Sequence, residues 1–236
     1  ARRHAPTRSA LPRRTRCGAA RRGGSTTRIE GPHAPGQMAR DRAAVGADFS
    51  PGNCHKWLCA PKGAAFLHAR PERQAELDAG VVSWGYVAGS GGHTGFDAYT
   101  GRTPFERRLQ WQGTRDLAAF LAVPVAIQFQ QAHDWPAWQR RCHDLACDLQ
   151  RRVLARNGLA PIAPDAAFGQ MVPIPVRTGD AEAPRAWLFS RHRIAVAVTP
   201  HAGRRFVPVA GDALNNERPP VAAPAALGAA SARALP

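Results

Sequence analysis

Gly52-Asn53-Cys54-His55-Lys56-Trp57-Leu58-Cys59-Ala60-Pro61-Lys62-Gly63-Ala64-Ala65-Phe66-Leu67 is the stretch on which the reading of this 236-residue chain turns. It sets Lys56 between His55 and Trp57, passes through a Pro61-Lys62-Gly63 turn and ends in an apolar run suited to a buried strand. A lysine held between an imidazole and an indole is an unusual choice for a surface charge. Desolvation disfavours an ammonium ion, so a lysine in such surroundings is available as a nucleophile or a base. A Schiff-base lysine needs that property.

The run Asn53 to Gly63 closely resembles the lysine segment of class V aminotransferase-fold enzymes, and within them the isopenicillin N epimerase-like branch, which depends on pyridoxal phosphate. The resemblance implies that Lys56, and not Lys62, carries the cofactor, and that Asn53 and His55 help to hold its phosphate. An amide, an imidazole and backbone N–H groups suit a dianion.

Upstream, Ile29-Glu30-Gly31-Pro32-His33-Ala34-Pro35-Gly36 resembles a second family segment, a strand ending in Asp-Gly-Ala-His-Ala-Pro-Gly. There the aspartate pairs with the pyridine nitrogen, and a carboxylate that keeps this nitrogen protonated makes the ring a better electron sink. This chain has Glu30 in that place, one methylene longer, and Pro32 in place of the alanine. His33 matches, and the resemblance puts it near the phenolic oxygen of the ring. Downstream, Trp111-Gln112-Gly113-Thr114-Arg115-Asp116 is similar to a third segment, whose threonine reaches across a homodimer interface to the partner's cofactor phosphate. Asp116 suits the cap of the helix that follows, and a helix N-terminus favours an anion.

The coarse reading is α/β. A short polar helix is expected over Met38–Val45, a brief strand at Ala47-Asp48-Phe49, a strand at Ala64–Ala69 and another at Val81–Tyr86. The Gly89–Gly95 run reads as a flexible loop, since no phosphate-binding pattern surrounds it. Asp134 to Asn157 carries apolar residues at helical spacing and stops at Asn157-Gly158. Met171-Val172-Pro173-Ile174-Pro175-Val176 reads as an edge strand, because its prolines cannot donate to a ladder. A helix over Glu182–His192 and strands at Ile194–Thr199 and Arg205–Val209 complete the second half. The resemblance covers roughly residues 29–216. It implies part of the large-domain sheet of a fold-type I pyridoxal-phosphate enzyme over 29–133, and a small α+β C-terminal domain over 134–216.

Departures from the family pattern cluster at the ends. The arginine that grips the substrate carboxylate is expected two residues after the Phe of the last strand, where Pro208 stands after Phe206. Arg204 and Arg205 are out of register with that position. Residues 1–28 contain nine arginines and no acid, and 217–236 are rich in Ala and Pro. The first reads as a disordered tail, and the second as disorder or a second frame shift. The first, abutting family-like text, is expected to be out-of-frame translation or a misassigned start. The chain then reads as an N-terminally truncated member with an unprotected sheet edge.

The net charge of +15 points first to nucleic acid, but much of the excess lies in residues 1–28, so nucleic acid is disfavoured as the main partner. An Arg-rich, acid-free segment also fits an organellar transit peptide, while no apolar core follows to make it a secretory signal. No apolar run has the length of a membrane span. Five cysteines, without the pattern of a small disulfide domain, fit a reducing cytoplasm. Cys142/Cys147 and Cys54/Cys59 lack CxxC spacing, which disfavours zinc. The expectation is a pyridoxal-phosphate enzyme that abstracts the Cα proton of an amino-acid substrate, epimerase-like, with transamination and elimination open. A non-catalytic relic of that family and a basic nucleic-acid binder through residues 1–28 are the alternatives.

Overall fold

The computed structural model describes residues 13–38, 45–87, 103–177, 182–211 and 222–233. The helix expected over Met38–Val45 runs through undescribed residues, and the Gly89–Gly95 loop lies wholly among them. Two compact units emerge, one spanning Arg13–Phe129 and one whose described part begins at Gln130.

The first unit contains helix α1 (Arg13–Arg22), strands β1 (Phe49–Asn53) and β2 (Ala65–Ala69), a 3-10 turn (Pro71–Glu76), and short helices α2 (Trp84–Val87), α3 (Pro104–Gln110) and α4 (Ala118–Leu121). Helix α5 (Val123–Ala132) ends it. β1 pairs antiparallel with β2, from Phe49 opposite Ala69 to Asn53 opposite Ala65. On its other side β1 takes residues 27–31 in parallel. Phe49 N–H donates to Thr27 O at 3.0 Å, Ile29 N–H to Phe49 O at 2.9 Å and Gly31 N–H to Pro51 O at 3.3 Å. β2 is less buried than its apolar text implies: Leu67 is 44% exposed, and only one face of the strand packs inward.

Two expectations for this unit do not hold. Residues 13–22 of the basic segment are helical, anchored through the buried Cys17. Arginine and alanine are good helix formers, so lack of acid does not prevent a helix once one side chain is buried. The strand expected at Val81–Tyr86 is instead a turn into helix α2, next to α3. That neighbour is started firmly by a capping box: Thr103 Oγ1 accepts from Glu106 N–H at 3.2 Å, and Glu106 Oε2 accepts from Thr103 N–H at 3.0 Å.

The second unit is built on the long helix α6 (Trp135–Asn157), with β3 (Met171–Val176), α7 (Glu182–His192), β4 (Thr199–His201), β5 (Arg204–Ala210) and α8 (Ala222–Arg233). α6 begins at Asp134, whose side chain accepts from Ala137 N–H, and stops at Gly158 with φ +65°, as the Asn-Gly text foretells. The sheet order is β3-β5-β4, all antiparallel, so the proline-bearing β3 is an edge strand as read. Its edge is closed by α6: Gln150 Nε2 donates to Pro173 O at 2.8 Å and Asn157 Nδ2 to Pro175 O at 3.2 Å. Those carbonyls face away from β5, so the missing proline N–H groups cost the sheet no ladder bond. Val153, Leu154, Ile174, Leu188, Val207, Ala226 and Leu227 form the main core.

Here too there are corrections. Residues 194–198 are not a strand, and β4 is limited to Thr199–His201, joined to β5 by the two-residue Ala202-Gly203 turn with both φ values positive. The Ala/Pro tail is helical over Ala222–Arg233, with Ala226 and Leu227 in the core. Pro224 falls in the first turn, where a missing N–H is harmless.

Candidate active site

The parallel register of residues 27–31 and β1 decides where chemistry can be placed. Two chain segments leave the carboxyl ends of neighbouring parallel strands at the same edge: the 32–38 turn after the first, and the lysine loop after Asn53. In open α/β sheets ligands bind outside the carboxyl ends of the strands.

The lysine loop is closed at its neck. Cys54 N–H donates to Ala64 O at 3.1 Å, and Ala60 N–H folds back to Cys54 O at 3.0 Å. Lys56 to Cys59 form a turn, with Cys59 N–H on Lys56 O at 3.0 Å and Cys59 itself in the left-handed region. The Pro-Lys-Gly turn forms as read, with Gly63 at φ +108°. Beneath it, Cys54, Ala60 and Ala64 are buried with Ala126, packed by Leu58, Phe66, Phe120 and Val123. Small side chains let the loop backbone sit close on α4 and α5, which holds the loop in place.

The 32–38 turn is clamped to this loop at Gly36. Its φ is +78°, and a Cβ there would lie 2.0 Å from Trp57 O. Only glycine fits the position. This contact brings His33 over the lysine: His33 Nε2 lies 3.3 Å from Lys56 Nζ, and Trp57 Nε1–H donates to His33 Nδ1 at 3.2 Å. His33 and Lys56 are half-buried, and Trp57 is buried.

Of the six residues singled out in the sequence, the structure joins these two directly. Glu30 is exposed and engaged with Arg28, Nη2 to Oε1 at 2.6 Å. Asn53 is half-buried at the end of β1, His55 is exposed on the lysine loop, and Thr114 is exposed in the connection from α3 to α4. Asp116 Oδ1 accepts from Ala118 N–H at 2.8 Å, so it caps the short helix α4 as expected.

Two supporting residues were not picked out for a role. Asp48 is buried at the start of β1 and fixes residue 27 to that strand. Burial pushes its carboxyl up, but hydrogen bonds from the Thr27 hydroxyl and N–H, with the charges of Arg73 and Arg21, outweigh this and leave it below the ordinary carboxylate value. Gly36 was quoted only as part of a matching run; the Pro35-Gly36 dipeptide was the available signal for a positive φ.

A cavity of about 320 Å³ adjoins the site, walled by Ile29, Pro35, Cys54, Phe66, Val123 and Ile127 among others. Among the described residues, those that line it carry no charge. Elsewhere, Cys147 sits 3.7 Å from His143 Nε2, but burial first, and the nearby Asp165, push its thiol up to about 11. It is protonated at neutral pH and a poor nucleophile. Among the described residues no group of three or more His, Cys, Asp or Glu is placed to hold a metal ion.

No protein-family model matches the chain. Over 195 residues, 80% of the chain and 48% of the relative, it is 40% identical to an isopenicillin N epimerase of Streptomyces clavuligerus. Over 191 residues, again 80% and 48%, it is 36% identical to an isopenicillin N epimerase of Amycolatopsis lactamdurans. The chain is a homologue of the isopenicillin N epimerases. It spans about half the length of these curated relatives. Among solved structures it is similar to a cysteine desulfurase of Thermococcus onnurineus, with a TM-score of 0.70 at 15% identity, covering 96% of this chain and 57% of that one. A ureidoglycine-glyoxylate aminotransferase of Bacillus subtilis gives a TM-score of 0.62 at 16% identity, covering 97% and 58%. These likenesses establish the fold as the mixed helix-and-sheet, α/β fold of those enzymes.

Proposed function

We propose that this chain is the lysine-bearing part of a pyridoxal-phosphate-dependent enzyme that acts on an amino-acid substrate by Cα proton abstraction, with epimerisation favoured. The observation that carries it is the His33–Lys56 contact, 3.3 Å between Nε2 and Nζ, at the carboxyl ends of two parallel segments. The donor set fits one end of the cofactor well: an amine for its aldehyde, and an imidazole N–H beside it for the phenolic oxygen. Asn53 and His55, on the same loop, would hold the phosphate. The carboxylate end fits less directly, since Glu30 is turned onto Arg28 and would have to leave that pair to face a ring nitrogen.

When bound, pyridoxal phosphate supplies the sink for the electron pair left at Cα. The chain supplies the rest. Lys56 Nζ takes the Cα proton as a free amine. His33 orients Nζ through Nε2, and Trp57 holds the ring of His33 from the other side. Returning the proton to the opposite face of Cα gives epimerisation. Thr114 is exposed on its connection, and in a homodimeric enzyme it would serve the cofactor phosphate of the second copy. Five cysteines without the pattern of a small disulfide domain favour a cytoplasmic location, and no helix among the described residues is long and apolar enough to cross a membrane.

The test uses a property of the sequence: its lysines are Lys56 and Lys62 alone. The protein is mixed with pyridoxal phosphate, reduced with borohydride and mapped by mass spectrometry. Reduced cofactor on Lys56 and not Lys62, with a visible absorbance band lost in Lys56→Ala, is the expected result. Equal labelling of both lysines, or a band that survives in Lys56→Ala, would refute the assignment.

A further inference from the structure

Leu117, Leu121 and Val125 follow one another at intervals of four from the cap of α4 into α5, and they are 44%, 74% and 64% exposed. Phe129, the next residue at that interval, is exposed as well. The backbone stays helical across the join at Ala122: its N–H donates to Ala118 O, and Ala126 N–H donates to Ala122 O, each at 3.1 Å. The four side chains therefore form one row along one side of the helix. The opposite side is already in use. Ala119, Phe120, Val123 and Ala126 pack beneath the lysine loop with Cys54 and Ala64. A helix that is apolar all round is a buried helix, and the described residues leave the outward row of this one exposed.

We propose that this row joins a second copy of the chain, with the two helices antiparallel about a two-fold axis. An evenly spaced row is symmetric about its midpoint, and a two-fold contact requires that. Turned end for end about residue 123, it sets Leu121 against the partner's Val125 and Leu117 against the partner's Phe129. Rows at intervals of four on both helices interdigitate at a crossing angle of about −50°. Charge favours an identical partner over an anionic one. No Asp, Glu, Lys or Arg occurs between Asp116 and Asp134, so two chains that each carry +15 can meet here without setting like charges against each other. An anionic partner finds nothing on this row to bind. The row offers roughly 400 Å² of apolar surface per copy, the size of a functional patch. Two copies joined through it would bury about 800–1,000 Å², close to the lower limit for a specific interface, which makes the dimer weak and reversible. The contact rests on exposure, spacing and charge, and not on the proposed cofactor chemistry.

Sedimentation equilibrium of the full chain from about 1 to 100 μM tests it. A monomer–dimer equilibrium in that range is the expected result. The dimer should tighten as salt is raised, because the net charges of the two copies repel until they are screened. A contact to a polyanion would weaken with salt instead. Leu121→Glu and Val125→Lys each put an unpaired charge at the centre of the contact, and each should weaken the dimer at least about tenfold. Both positions are exposed in the single chain, so thermal unfolding of the dilute proteins should match the wild type.

Mixing the two variants tests the pairing itself. In an antiparallel mixed dimer the introduced charges, opposite in sign, face each other at one Leu121–Val125 contact, while the other such contact keeps both original side chains. A one-to-one dimer, read by native mass spectrometry from two variants that are each monomeric alone, is expected. A wild-type chain that stays monomeric up to about 100 μM overturns the proposal, and this needs no variant to fold. A dimer that neither substitution weakens overturns it too, as does a mixture that fails to pair. Dimerisation through this row with no retention of pyridoxal phosphate would remove the proposed function and leave this inference standing.

Discussion

Asp48 and Thr27 bind each other by three hydrogen bonds: Asp48 Oδ2 accepts from both the N–H and the hydroxyl of Thr27 at 2.7 Å, and Thr27 Oγ1 accepts from Asp48 N–H at 3.0 Å. The pair ties the segment carrying His33 to the strand carrying Lys56, and Arg73 reaches the other carboxylate oxygen at 3.5 Å. Asp48→Asn keeps the shape and loses the charge: one oxygen still accepts both Thr27 donors, but as a neutral amide, and an NH2 group then faces Arg73. The expected loss is about 1–3 kcal/mol in urea unfolding.

The pH dependence of that stability has a definite sign. The folded carboxyl lies below its ordinary value, so the unfolded chain binds the proton more readily. The contribution is complete above the unfolded value of about 3.9 and is lost as pH falls through the lower folded one. Unfolding midpoints measured from pH 6 downwards should fall less steeply for Asp48→Asn than for the wild type. Parallel curves would show that Asp48 does not carry the acid sensitivity.

Gly36→Ala tests the clamp between the two segments. An alanine would have to hold φ at +78° and place its Cβ 2.0 Å from Trp57 O, a backbone atom that has no rotamer with which to retreat. Strain and overlap together are expected to cost roughly 2–4 kcal/mol. Trp57 should also become more quenchable by acrylamide, because the loop must lift. A variant as stable as the wild type would mean that the two segments are not held in this contact.

What could be read from the text followed the strength of the local chemistry. The Lys56 loop, the Pro61-Lys62-Gly63 turn, the capped helix from Asp134 to Gly158 and the edge character of β3 each rest on residues with one structural use. The misreadings fall where composition stood in for geometry. Arg13–Arg22 and Ala222–Arg233 were judged by what they lack, acid in one and apolar bulk in the other. Each needs only a few buried side chains, Cys17 in one and Ala226 with Leu227 in the other, to fix a helix of good formers. Val81-Val82 has a strand's composition but not its length, and a short apolar run does not distinguish helix from strand. At the site, the lysine and histidine were legible through resemblance. Their contact was not, since it depends on a parallel register and on one glycine meeting a carbonyl twenty-one residues on.

Gln150 offers a sharper test of the second unit than any of its apolar residues. It is buried, and its amide closes the outward carbonyl of Pro173 at 2.8 Å. Gln150→Leu preserves volume and leaves that carbonyl buried and unpaired, at an expected cost of about 1–3 kcal/mol. Asn157→Ala removes the equivalent bond to Pro175 from a half-buried site where water can replace it, so about 1 kcal/mol or less is expected. Equal losses in the two variants would contradict this account of how the proline edge is closed.

Leu227→Ala asks whether the Ala/Pro-rich segment is part of the folded unit. Leu227 is 2% exposed and joins Val153, Leu154 and Leu188 in one core. Close approach of α8 to α6 supports the same placement: a Cβ on Gly228 would lie 3.1 Å from that of Arg156. A leucine removed from such a core costs about 2–5 kcal/mol. Ala225, exposed on the same helix, provides the contrast, and Ala225→Ser should stay within about 0.5–1 kcal/mol of the wild type. A large loss for Leu227→Ala alone is what a docked helix produces, because only one face of it has anything to lose. If both substitutions prove silent, residues 222–233 do not pack on the core, and the reading of this segment as a disordered tail is restored.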